Sequence, residues 1–556
     1  MNKSRTGAEL VVACLEAHEV THVFGIPGAK VDAIFNALED STIKLVVCRH
    51  EQNAAFMAAM VGRITGQPGV VLVTSGPGVS NLATGLLTAT TEGDPVVALG
   101  ANVARSMLLK ESHQVTKNVA LMEPVTKKAV ELSAAENVAE AIGNAFRVAS
   151  EPHGGACFVS FPTDILSEQT TAPVLAPRSL GTGGAAPLSE VVDAVRVIEN
   201  ASCPVLLLGA ESSRPKNAHA LIRLLEKTAL PTLSTYQAAG VVPLRLGKLF
   251  AGRVGLFDNQ PGDKLLEQAD CVVTVGFHLA EYDPEIWNAR NDKEIVHIDY
   301  RPSDLHTTYE PAHELLGDIA TNIGVLTEAS ADSFAERNRE TALVHHKALM
   351  EMINAPPASP PDAKGAEIHP LTFIRGLQGH IDEETTIVCD VGSVYMWMAR
   401  YLLAHHPHHL LFSNGQQTLG VGLPWAIAAK LCRPEQRVIS ISGDGGFLFS
   451  AMELETAVRE KVDFVHFVWR DGSYNMVAEQ EIVKYGRTSG VDFGAVDLKH
   501  FAKAFGAKGY VLRKASDFES LLDEAFSQKG PVLVDIPIDY RDNPSLFRAV
   551  QSDLGH

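Results

Sequence analysis

The sequence predicts an α/β protein built from three doubly wound domains, each with a parallel sheet between layers of helices. Short apolar runs alternate with longer helical stretches along the chain, which is the pattern of parallel strands joined by helices. A chain of 556 residues is also too long for a single hydrophobic core. Two stretches rich in Pro and small residues, at 171–187 and 346–365, interrupt the pattern and are predicted to be linkers.

The predicted domains are 1–170, 188–345 and 366–556. Within them, apolar runs of strand length, bounded by Gly, Pro or polar residues, predict the main strands. These lie at 43–48, 70–74, 95–100 and 157–160 in the first domain, at 204–209, 271–276 and 294–299 in the second, and at 386–390, 437–441, 464–469 and 531–538 in the third. Because ligands bind at the carboxyl ends of strands in open parallel sheets, functional residues are expected in the turns that follow these strands.

Composition and charge exclude several classes of function. Apolar residues make up 46% and charged residues 20% of the chain, which is the profile of a globular protein rather than of a disordered or membrane protein. No uncharged apolar run reaches 18 residues and no signal peptide is visible, so we expect a cytoplasmic protein that does not bind a membrane. The formal charge of −19 argues against nucleic acid as a partner, because nucleic-acid binding needs clustered Lys and Arg.

Two aspartates that follow predicted strands form the most informative pattern of the chain. Asp444 lies in the sequence Ser-Gly-Asp-Gly-Gly at 442–446, and Asp471 follows the next predicted strand, 27 positions later. Mg²⁺ commonly takes one or two carboxylates together with phosphate oxygens, and glycines after a strand let backbone N–H groups approach a phosphate. A Gly-Asp-Gly alone is also an ordinary turn, but the second aspartate favours a clamp for a divalent metal and a diphosphate.

With these residues the chain resembles the thiamin diphosphate enzymes, whose metal motif is Gly-Asp-Gly followed, after a spacer of this length, by Asn or Asp. The resemblance covers essentially the whole chain and implies a pyrimidine-binding, a central and a diphosphate-binding domain. It also implies thiamin diphosphate and Mg²⁺ as cofactors, with Asp444, Asp471 and the carbonyl of Ser473 as metal ligands. Relatives usually end the motif in Asn-Asn, whereas this chain has Arg470 and Asp471, which keeps an oxygen ligand and adds a negative charge.

Glu51 is the predicted catalytic carboxylate. A Glu in the first turn of a helix is by itself more often a solvated residue that the helix dipole favours, but the segment around Glu51 is similar to the catalytic-glutamate segment of the family. There, a Glu hydrogen-bonded to the pyrimidine ring promotes the imino tautomer of the cofactor, which removes the C2 proton. Because the family places the pyrimidine and the diphosphate on different subunits, Glu51 and Asp444 are expected from different chains, with a homodimer as the minimum active unit and a homotetramer as the assembly.

Three segments resemble more narrowly the FAD-independent, catabolic acetolactate synthases. They are Phe-Gly-Ile-Pro-Gly-Ala-Lys at 24–30, Glu-Gly-Asp-Pro-Val-Val-Ala-Leu-Gly at 92–100 and Ser-Asn-Gly-Gln-Gln-Thr-Leu-Gly at 413–420. Biosynthetic relatives that favour 2-ketobutyrate as second substrate have a Trp where this chain has Gln480. The resemblance therefore implies that two pyruvates are condensed to 2-acetolactate with release of CO₂, through a hydroxyethyl carbanion–enamine of the cofactor and without FAD, in the acetoin and butanediol pathway.

The same resemblance implies the residues of the site. The expected catalytic residues are Glu51, which acts on the cofactor, and Gln114, Gln417 and Gln480, which are expected to hydrogen-bond pyruvate or its adduct. Those expected to contact the cofactor are Glu51, Pro77, Asn81, Ser393, Tyr395, Gln417, Leu419, Gly443, Asp444, Gly445, Gly446, Asp471, Ser473, Tyr474, Asn475, Met476 and Val477. Besides Arg470 and Asp471, the chain departs from its relatives at further positions. Leu419 replaces a Met that supports the bent cofactor, the segment 393–395 with Tyr395 replaces one that carries a His, and Gly486 and Thr488 replace larger side chains, so the pocket shape can differ.

Alternatives remain. A 2-keto acid decarboxylase would use the same cofactor and Glu51, but such enzymes usually add histidines that protonate the enamine, and no His-His pair lies near Glu51 or Gly78 in the sequence. A biosynthetic acetohydroxyacid synthase would bind FAD, and the segment 252–257 is similar to its flavin-binding region, although FAD-independent relatives keep this segment as well. A non-catalytic protein could retain the fold, but it would have no reason to retain Glu51, Asp444 and Asp471 together.

Overall fold

The computed structural model describes residues 4–178, 180–181, 183–256, 259–358 and 368–547. In this part of the chain, three six-stranded parallel sheets are each flanked by helices, which confirms the predicted fold class. We call each sheet with its helices the first, middle or third domain. Parts of the predicted linkers lie outside the described residues, namely Ser179, Thr182 and 359–365, and so do 1–3, 257–258, 366–367 and 548–556 of the predicted domains.

The first domain holds a parallel sheet and a separate antiparallel strand pair. Its strands are β1 (Arg5–Thr6), β2 (His22–Gly25), β3 (Lys44–Val47), β4 (Gly69–Val73), β5 (Val96–Asn102), β6 (Lys128–Glu131), β7 (Ala156–Pro162) and β8 (Gln169–Thr170). Its helices are α1 (Gly7–Ala17), α2 (Asp32–Leu38), α3 (Glu51–Thr65), α4 (Pro77–Ser80), α5 (Ala83–Glu92), α6 (Asn118–Met122), α7 (Val138–Ala149) and α8 (Thr163–Ser167). The strand order is β3-β2-β4-β5-β7-β6, and β1 pairs with β8.

The middle domain has the strand order of dinucleotide-binding folds. Its strands are β9 (Pro204–Leu208), β10 (Thr232–Ser234), β11 (Phe250–Arg253), β12 (Cys271–Val275), β13 (Glu294–Asp299) and β14 (His313–Leu316). Its helices are α9 (Leu188–Asn200), α10 (Pro215–Thr228), α11 (Pro261–Gln268), α12 (Pro284–Trp287), α13 (Ile319–Ala329) and α14 (Phe334–Asn354). In the order β11-β10-β9-β12-β13-β14, successive strands are added toward one edge up to β11 and toward the other edge from β12 on, so the order reverses between β9 and β12.

The third domain repeats the strand order of the first. Its strands are β15 (Thr386–Cys389), β16 (Leu410–Phe412), β17 (Val438–Gly443), β18 (Val465–Arg470), β19 (Lys508–Val511) and β20 (Val532–Pro537). Its helices are α15 (Pro370–Gln378), α16 (Ser393–Tyr401), α17 (Gly422–Cys432), α18 (Asp444–Ser450), α19 (Glu453–Arg459), α20 (Asn475–Tyr485), α21 (Leu498–Ala504), α22 (Phe518–Ser527) and α23 (Asn543–Phe547). The order β16-β15-β17-β18-β20-β19 reverses between β15 and β17, where a ligand crevice is expected.

The predicted linker 346–365 is wrong over its first nine residues, because helix α14 continues through them to Asn354. Leu349 and Ile353 keep helical spacing there and are buried, so packing sustains the helix. The helix ends shortly before Pro356, which cannot continue it. No helix in the described ranges is long and apolar enough to cross a membrane.

The first and third domains share a hydrophobic core. Helix α3, which begins at Glu51, packs against α17, and buried side chains of both helices, among them Phe56 and Trp425, belong to one cluster. Near the end of α3, Arg63 places its guanidinium 4.5 Å from the centre of the Trp425 ring and donates to the carbonyl of Phe412 over 2.7 Å. The helix that carries Glu51 is therefore fixed against the third domain.

Candidate active site

Asp444 and Asp471 lie at the carboxyl ends of the neighbouring strands β17 and β18, as the sequence predicts. The N–H of Gly472 donates to Oδ2 of Asp444 over 2.8 Å, and the N–H of Gly445 donates to Oδ1 over 3.1 Å. Both aspartates line a cavity of about 280 Å³. The turn after β18 is thereby bound to the turn after β17, and the two carboxylates share one opening.

The electrostatics of this pair fit a divalent cation. Burial, with a further contribution from the charge of Asp444, raises the pKa of Asp471 to about 7, and burial also raises the pKa of Asp444. The nearby Arg470 is paired with Asp535 over 2.8 Å. Two carboxylates that share one cavity are costly to ionise together unless a cation neutralises them. In the described part of the chain, no cluster of three His, Cys, Asp or Glu side chains suits a metal, so a cation here would also need backbone, phosphate or water oxygens, as Mg²⁺ commonly uses.

The segment that carries Ser473 is fixed by a neighbouring strand-like segment. The N–H of Phe493 donates to the carbonyl of Gly472 over 3.1 Å, and the N–H of Tyr474 donates to the carbonyl of Val491 over 2.9 Å. Ser473 itself forms an isolated antiparallel bridge in the same segment. The backbone of Ser473 therefore has a defined position next to Asp471, which a backbone metal ligand requires.

The glycines around Asp444 allow close packing. Gly443 precedes the first residue of α18 in an extended conformation. A Cβ at Gly445 would lie 2.7 Å from the Tyr474 ring, and a Cβ at Gly446 would lie 3.1 Å from the carboxylate of Asp390. Side chains at these two positions would displace Tyr474 and Asp390. The two glycines therefore let the start of α18 pack closely against these neighbours.

The sequence analysis missed Asp390, which organises the other side of the crevice. Its carboxylate accepts N–H groups from Val391 over 2.7 Å, Gly420 over 3.0 Å and Gly422 over 3.1 Å. Burial raises the pKa of Asp390 to about 6, and these N–H donors oppose that shift. Asp390 therefore holds the turn that follows Leu419. Its sequence signal is the one used for Asp444, an aspartate directly after an apolar strand.

Glu51 lies in a second cluster, in the first domain. Glu51 is the first residue of α3 and is 9% exposed, and Oε2 of its carboxylate accepts a hydrogen bond from Nδ2 of Asn81 over 2.9 Å. The other oxygen, Oε1, is directed at the short helix α4, because a Cβ at Gly78 would lie 3.6 Å from it. Pro77 is the first residue of α4. The structure thus brings together Glu51, Pro77 and Asn81, as the sequence predicts.

Gln114 lies over the same turn. The hydroxyl of Ser75 donates to Oε1 of Gln114 over 3.2 Å, and a Cβ at Gly76 would lie 3.1 Å from Cβ of Gln114. Gln114 has a φ of 62°, in the left-handed region that non-glycine residues adopt rarely. The tertiary contacts therefore hold Gln114 beside the segment that contacts Glu51.

The loop with Gln417 and Leu419 belongs to the third domain but is anchored to the first. The carboxylate of Glu92 accepts the hydroxyl of Ser413 and the N–H of Gly415, each over 2.9 Å. The hydroxyls of Thr88 and Thr418 are 2.8 Å apart. Gln417 and Leu419 are both half-buried, and Gln417 has a φ of 48°. This loop leaves both side chains partly accessible at the boundary of the two domains.

Ser393 and Tyr395 have different surroundings. The hydroxyl of Ser393 donates to Oδ1 of Asn475 over 2.8 Å, so Ser393 lies next to the segment after Asp471. Tyr395 is fully buried, its hydroxyl donates to the side chain of Asn414, and its ring lies 5.2 Å from that of Phe412. A contact of Tyr395 with the cofactor stays a prediction.

Helix α20 and Tyr474, which directly precedes it, carry the remaining predicted residues along an open edge. Tyr474 is 37% exposed and Val477 is 46% exposed, whereas Met476 is half-buried against the core of the third domain. Gln480 is half-buried further along the helix. The helix ends at Tyr485, Gly486 follows it with a φ of 68°, and Thr488 is exposed beyond. The small residues at these two positions leave this end of the site open.

The structure therefore assembles two clusters within one chain, one around Asp444 and Asp471 and one around Glu51. Among the described residues, no hydrogen bond or ion pair joins Glu51 directly to either aspartate. Gln417 and Leu419 lie in a loop that connects both domains. The structure brings Glu51 together with Asn81, and Asp444 together with Asp471, whereas the roles of these residues in one working site stay a prediction.

Comparison with known proteins shows the family of the chain. Models of the thiamine pyrophosphate enzymes match three parts of the chain; thiamine pyrophosphate (TPP) is another name for thiamin diphosphate. The N-terminal TPP binding domain matches residues 5–121, the central domain matches 191–326, and the C-terminal TPP binding domain matches 390–536. Glu51 falls in the first match, and Asp444 and Asp471 fall in the third.

Curated relatives are similar over nearly the full length. "Acetolactate synthase" of Bacillus subtilis (strain 168) is 49% identical over 541 residues, which cover 97% of this chain and 94% of the relative. "Acetolactate synthase, catabolic" of Raoultella terrigena is 46% identical over 556 residues, covering 97% and 96%. "Acetolactate synthase isozyme 1 large subunit" of Escherichia coli (strain K12) is 28% identical, covering 97% and 94%. The chain therefore belongs to the thiamine pyrophosphate enzymes and, within them, to the acetolactate synthase family.

Proposed function

We propose that this chain is a catabolic acetolactate synthase that condenses two molecules of pyruvate to 2-acetolactate and releases CO₂. The observation that carries the proposal is the presence of both carboxylate clusters, Glu51 with Asn81 and Asp444 with Asp471, in a chain that aligns with acetolactate synthases over nearly its whole length. The two clusters supply what the cofactor needs at its two ends, a carboxylate for the pyrimidine and a metal site for the diphosphate.

Asp444, Asp471 and the carbonyl of Ser473 would hold Mg²⁺ and, through it, the diphosphate. When bound, thiamin diphosphate supplies the nucleophilic carbon and the electron sink for decarboxylation of the first pyruvate. The placement of Asp444 and Asp471 in one cavity supports a cation at this place, and a cation would lower the pKa of Asp471, which is raised to about 7 without it.

Glu51 would exchange a proton with the pyrimidine ring. Asn81 fixes the orientation of the carboxylate through Oε2, while Oε1 is directed at the turn with Pro77 and Gly78. Because Glu51 is 9% exposed, a proton held there is largely shielded from bulk water. The geometry therefore fits a carboxylate that exchanges its proton with one bound group, the pyrimidine ring, rather than with bulk water.

Gln114, Gln417 and Gln480 would bind the carboxylate and carbonyl oxygens of pyruvate through their amide groups. Gln114 and Gln417 both have a positive φ, so each is held by its surroundings in a conformation that a free chain rarely adopts. Exclusion of water from this region would favour transfer of the two-carbon unit of the first pyruvate to the second pyruvate. Protonation of that unit by water would release acetaldehyde instead.

A homodimer as the minimum active unit is supported by the surface next to the metal clamp. Apolar side chains are exposed on α18, at the residue before α20 and on α20, all next to this region: Leu448, Phe449, Tyr474, Val477, Ile482, Val483 and Tyr485. Such a surface next to a site is typical of a protein interface. A second copy would cover it and bring its own Glu51, and two such dimers would form the homotetramer.

Independence from FAD is supported by the middle domain. The turn after β9 is where a domain with this strand order binds a diphosphate. Here the carboxylate of Glu281 accepts the N–H of Ala210 in that turn over 3.0 Å. Arg253, in the segment that resembles a flavin-binding region, is buried and donates to the carbonyls of Ala399 and Leu402 over 2.7 Å each. Phe257 at the end of this segment lies outside the described residues.

We also place the enzyme in the cytoplasm and its product in the acetoin and butanediol pathway. Support for a reducing compartment comes from the seven cysteines, which are all free thiols. An acetolactate synthase without FAD suits the catabolic branch that the relative from Raoultella terrigena is named for.

The test is the identity of the product, measured by NMR, after purified protein receives pyruvate, Mg²⁺ and thiamin diphosphate without FAD. We expect 2-acetolactate. Acetaldehyde as the sole product would instead make the chain a 2-keto acid decarboxylase. Formation of acetolactate only after FAD is added would make it a flavin-dependent synthase.

A further inference from the structure

Glu453 is a fully buried carboxylate between the first and third domains. Oε1 of Glu453 accepts the backbone N–H groups of Arg49 over 2.9 Å and His50 over 3.1 Å, and the side-chain amide of Asn53 over 3.0 Å. Oε2 accepts the hydroxyl of Thr456 over 2.6 Å. One carboxylate of the third domain thus satisfies three donors at the start of a helix in the first domain.

These donors surround Glu51. Arg49 and His50 form the turn between β3 and α3, and Glu51 is the first residue of that helix. N–H groups ahead of a helix have no carbonyl of the helix as acceptor, so another group must accept them when they are buried. Hydrogen bonds to a carboxylate are among the stronger ones in proteins. The turn that places Glu51 is therefore fixed by Glu453.

The same contact reaches the cofactor end of the third domain. Oδ1 of Asn53 accepts the hydroxyl of Ser450 over 3.0 Å, and Ser450 is the last residue of α18, which begins at Asp444. The hydroxyl of Ser450 also contacts the carbonyl of Gly420, next to Leu419. Glu453 and Asn53 thus tie the first turn of α3 to the elements that carry the diphosphate site.

Burial of Glu453 has a cost, because it raises the pKa of this carboxyl. An apolar side chain would hold two domains together without that cost. The bonding pattern gives a reason for a carboxylate: a single oxygen accepts three converging donors from residues 49–53. An apolar residue would leave these donors buried without acceptors.

We propose that Glu453 is the positioning residue of Glu51, and that the reach of its Oε1 sets where the catalytic carboxylate stands. The proposal rests on the proposed function, since it assigns Glu51 to the pyrimidine ring of the cofactor. Glu453 does not touch the reacting atoms. It acts through the backbone of residues 49 and 50, and a displacement of a reacting group by ~1 Å can lower a rate by about 10²-fold.

Two substitutions separate the effect of the position of the Glu453 oxygens from the effect of their charge. Glu453→Gln keeps an oxygen at the position of Oε1 and can donate from Nε2 to Thr456, but it removes the charge. Glu453→Asp keeps the charge but retracts both oxygens by one methylene. The matched control is Glu455→Gln on the same helix α19, because Glu455 is a partly exposed carboxylate that meets Arg49 only at its guanidinium, 4.0 Å away.

The first measurement needs no cofactor. Hydrogen exchange of the backbone amides of Arg49 and His50, followed by mass spectrometry on the full-length protein, reports whether their acceptor is in place. We expect slow exchange in the wild type, in Glu453→Gln and in Glu455→Gln, and exchange about tenfold faster or more in Glu453→Asp, because retracted oxygens no longer reach both donors.

The second measurement is the rate at which the C2 proton of bound thiamin diphosphate exchanges with deuterium, together with kcat and KM for pyruvate. We expect Glu453→Asp to lower the exchange rate and kcat by about 10- to 100-fold with cofactor affinity and KM little changed. For Glu453→Gln we expect an exchange rate and a kcat close to those of the wild type, because this variant keeps an oxygen at the position of Oε1.

The proposal is overturned if Glu453→Asp behaves like the wild type in both measurements, or if Glu453→Gln is as slow as Glu453→Asp. The second result would assign the effect to charge instead of position. Glu51→Gln, measured in parallel, keeps the two proposals apart. If that variant exchanges the C2 proton at the wild-type rate, the role of Glu51 fails, whereas the amide exchange of residues 49 and 50 still reports on Glu453.

Discussion

Asn81 donates a hydrogen bond of 2.9 Å from its side-chain amide to Oε2 of Glu51. The two residues come from different helices, since Glu51 begins α3 and Asn81 directly follows α4. The orientation of the carboxylate is thus set by the protein before a ligand binds, which is the preorganisation that an acid–base group needs. Because an amide oxygen can accept the same bond, the chemistry of Glu51 can be tested without a large change in geometry.

We predict that Glu51→Gln binds thiamin diphosphate but turns over pyruvate at least about 10²-fold more slowly, because Gln keeps the bond from Asn81 but cannot exchange a proton. Steady-state acetolactate formation and cofactor titration by tryptophan fluorescence would measure the two quantities. Glu481→Gln, a partly exposed position on α20 away from this cluster, is the control and should be fully active. Near-normal activity of Glu51→Gln would remove Glu51 from its role.

The metal clamp can be tested at Asp444. Asp444→Ala removes one predicted ligand and the acceptor of the Gly472 N–H, so we expect the apparent dissociation constant for Mg²⁺ and thiamin diphosphate to rise by about 10- to 100-fold. Calorimetric titration measures it. Asp523→Ala, at an exposed position on α22 of the same domain, should leave affinity unchanged. Unaltered affinity in Asp444→Ala would contradict a metal site at this turn.

The sequence allows much of the fold to be predicted, and what it misses has physical reasons. The buried strands β12 and β13 consist largely of apolar residues, and the sequence predicts their bounds to within one residue. Short strands were missed, such as β14, which has only one buried residue among four, and β16, which has three residues. A few residues with a weak apolar pattern cannot be distinguished from a loop.

The same limit applies to the site. Asp444 and Asp471 could be predicted because each carries its signal locally, a polar residue after an apolar strand. Asp390 carries the same signal but was missed, since its partners Gly420 and Gly422 lie about thirty residues along the chain. Glu453 contacts a backbone group 404 positions away, and no local pattern separates it from a solvated glutamate.

Metal affinity is predicted to depend on pH through Asp471. The pKa of Asp471 is raised to about 7 without metal, so below pH 7 the folded protein holds a proton that Mg²⁺ must displace. Affinity should fall by up to about tenfold per pH unit between pH 7 and 5. In the same window the raised pKa makes the metal-free protein more stable as the pH falls, because the folded state binds more protons than the unfolded state.

Asp471→Asn isolates this titration, because Asn keeps an oxygen ligand, stands at this position in relatives, and does not ionise. We expect its Mg²⁺ affinity, measured by calorimetry from pH 5 to 8, to vary much less with pH than that of the wild type. The residual variation would come from Asp444, whose pKa burial also raises. An identical pH dependence in both proteins would show that Asp471 does not titrate with the metal.

Acceptor choice is predicted to depend on Gln480. Gln480 is half-buried on α20, three residues after the exposed Val477, so a larger side chain there would extend over the open edge of the site. Biosynthetic relatives have Trp at this position, whose apolar surface favours the extra methylene of 2-ketobutyrate. One methylene in an apolar pocket is worth about 1–3 kcal/mol, so Gln480→Trp should raise the preference for 2-ketobutyrate over pyruvate as acceptor by roughly 10-fold or more.

The preference is measured as the ratio of 2-aceto-2-hydroxybutyrate to 2-acetolactate when both acceptors are present at equal concentration. Gln480→Ala serves as the matched control, because it removes the amide without adding apolar surface and should not raise the ratio. Lys484→Trp, one helical turn further along α20 at an exposed position, controls for a Trp elsewhere on this helix. An unchanged product ratio in Gln480→Trp would mean that the acceptor does not reach this part of α20, and that acceptor choice is determined nearer to Leu419.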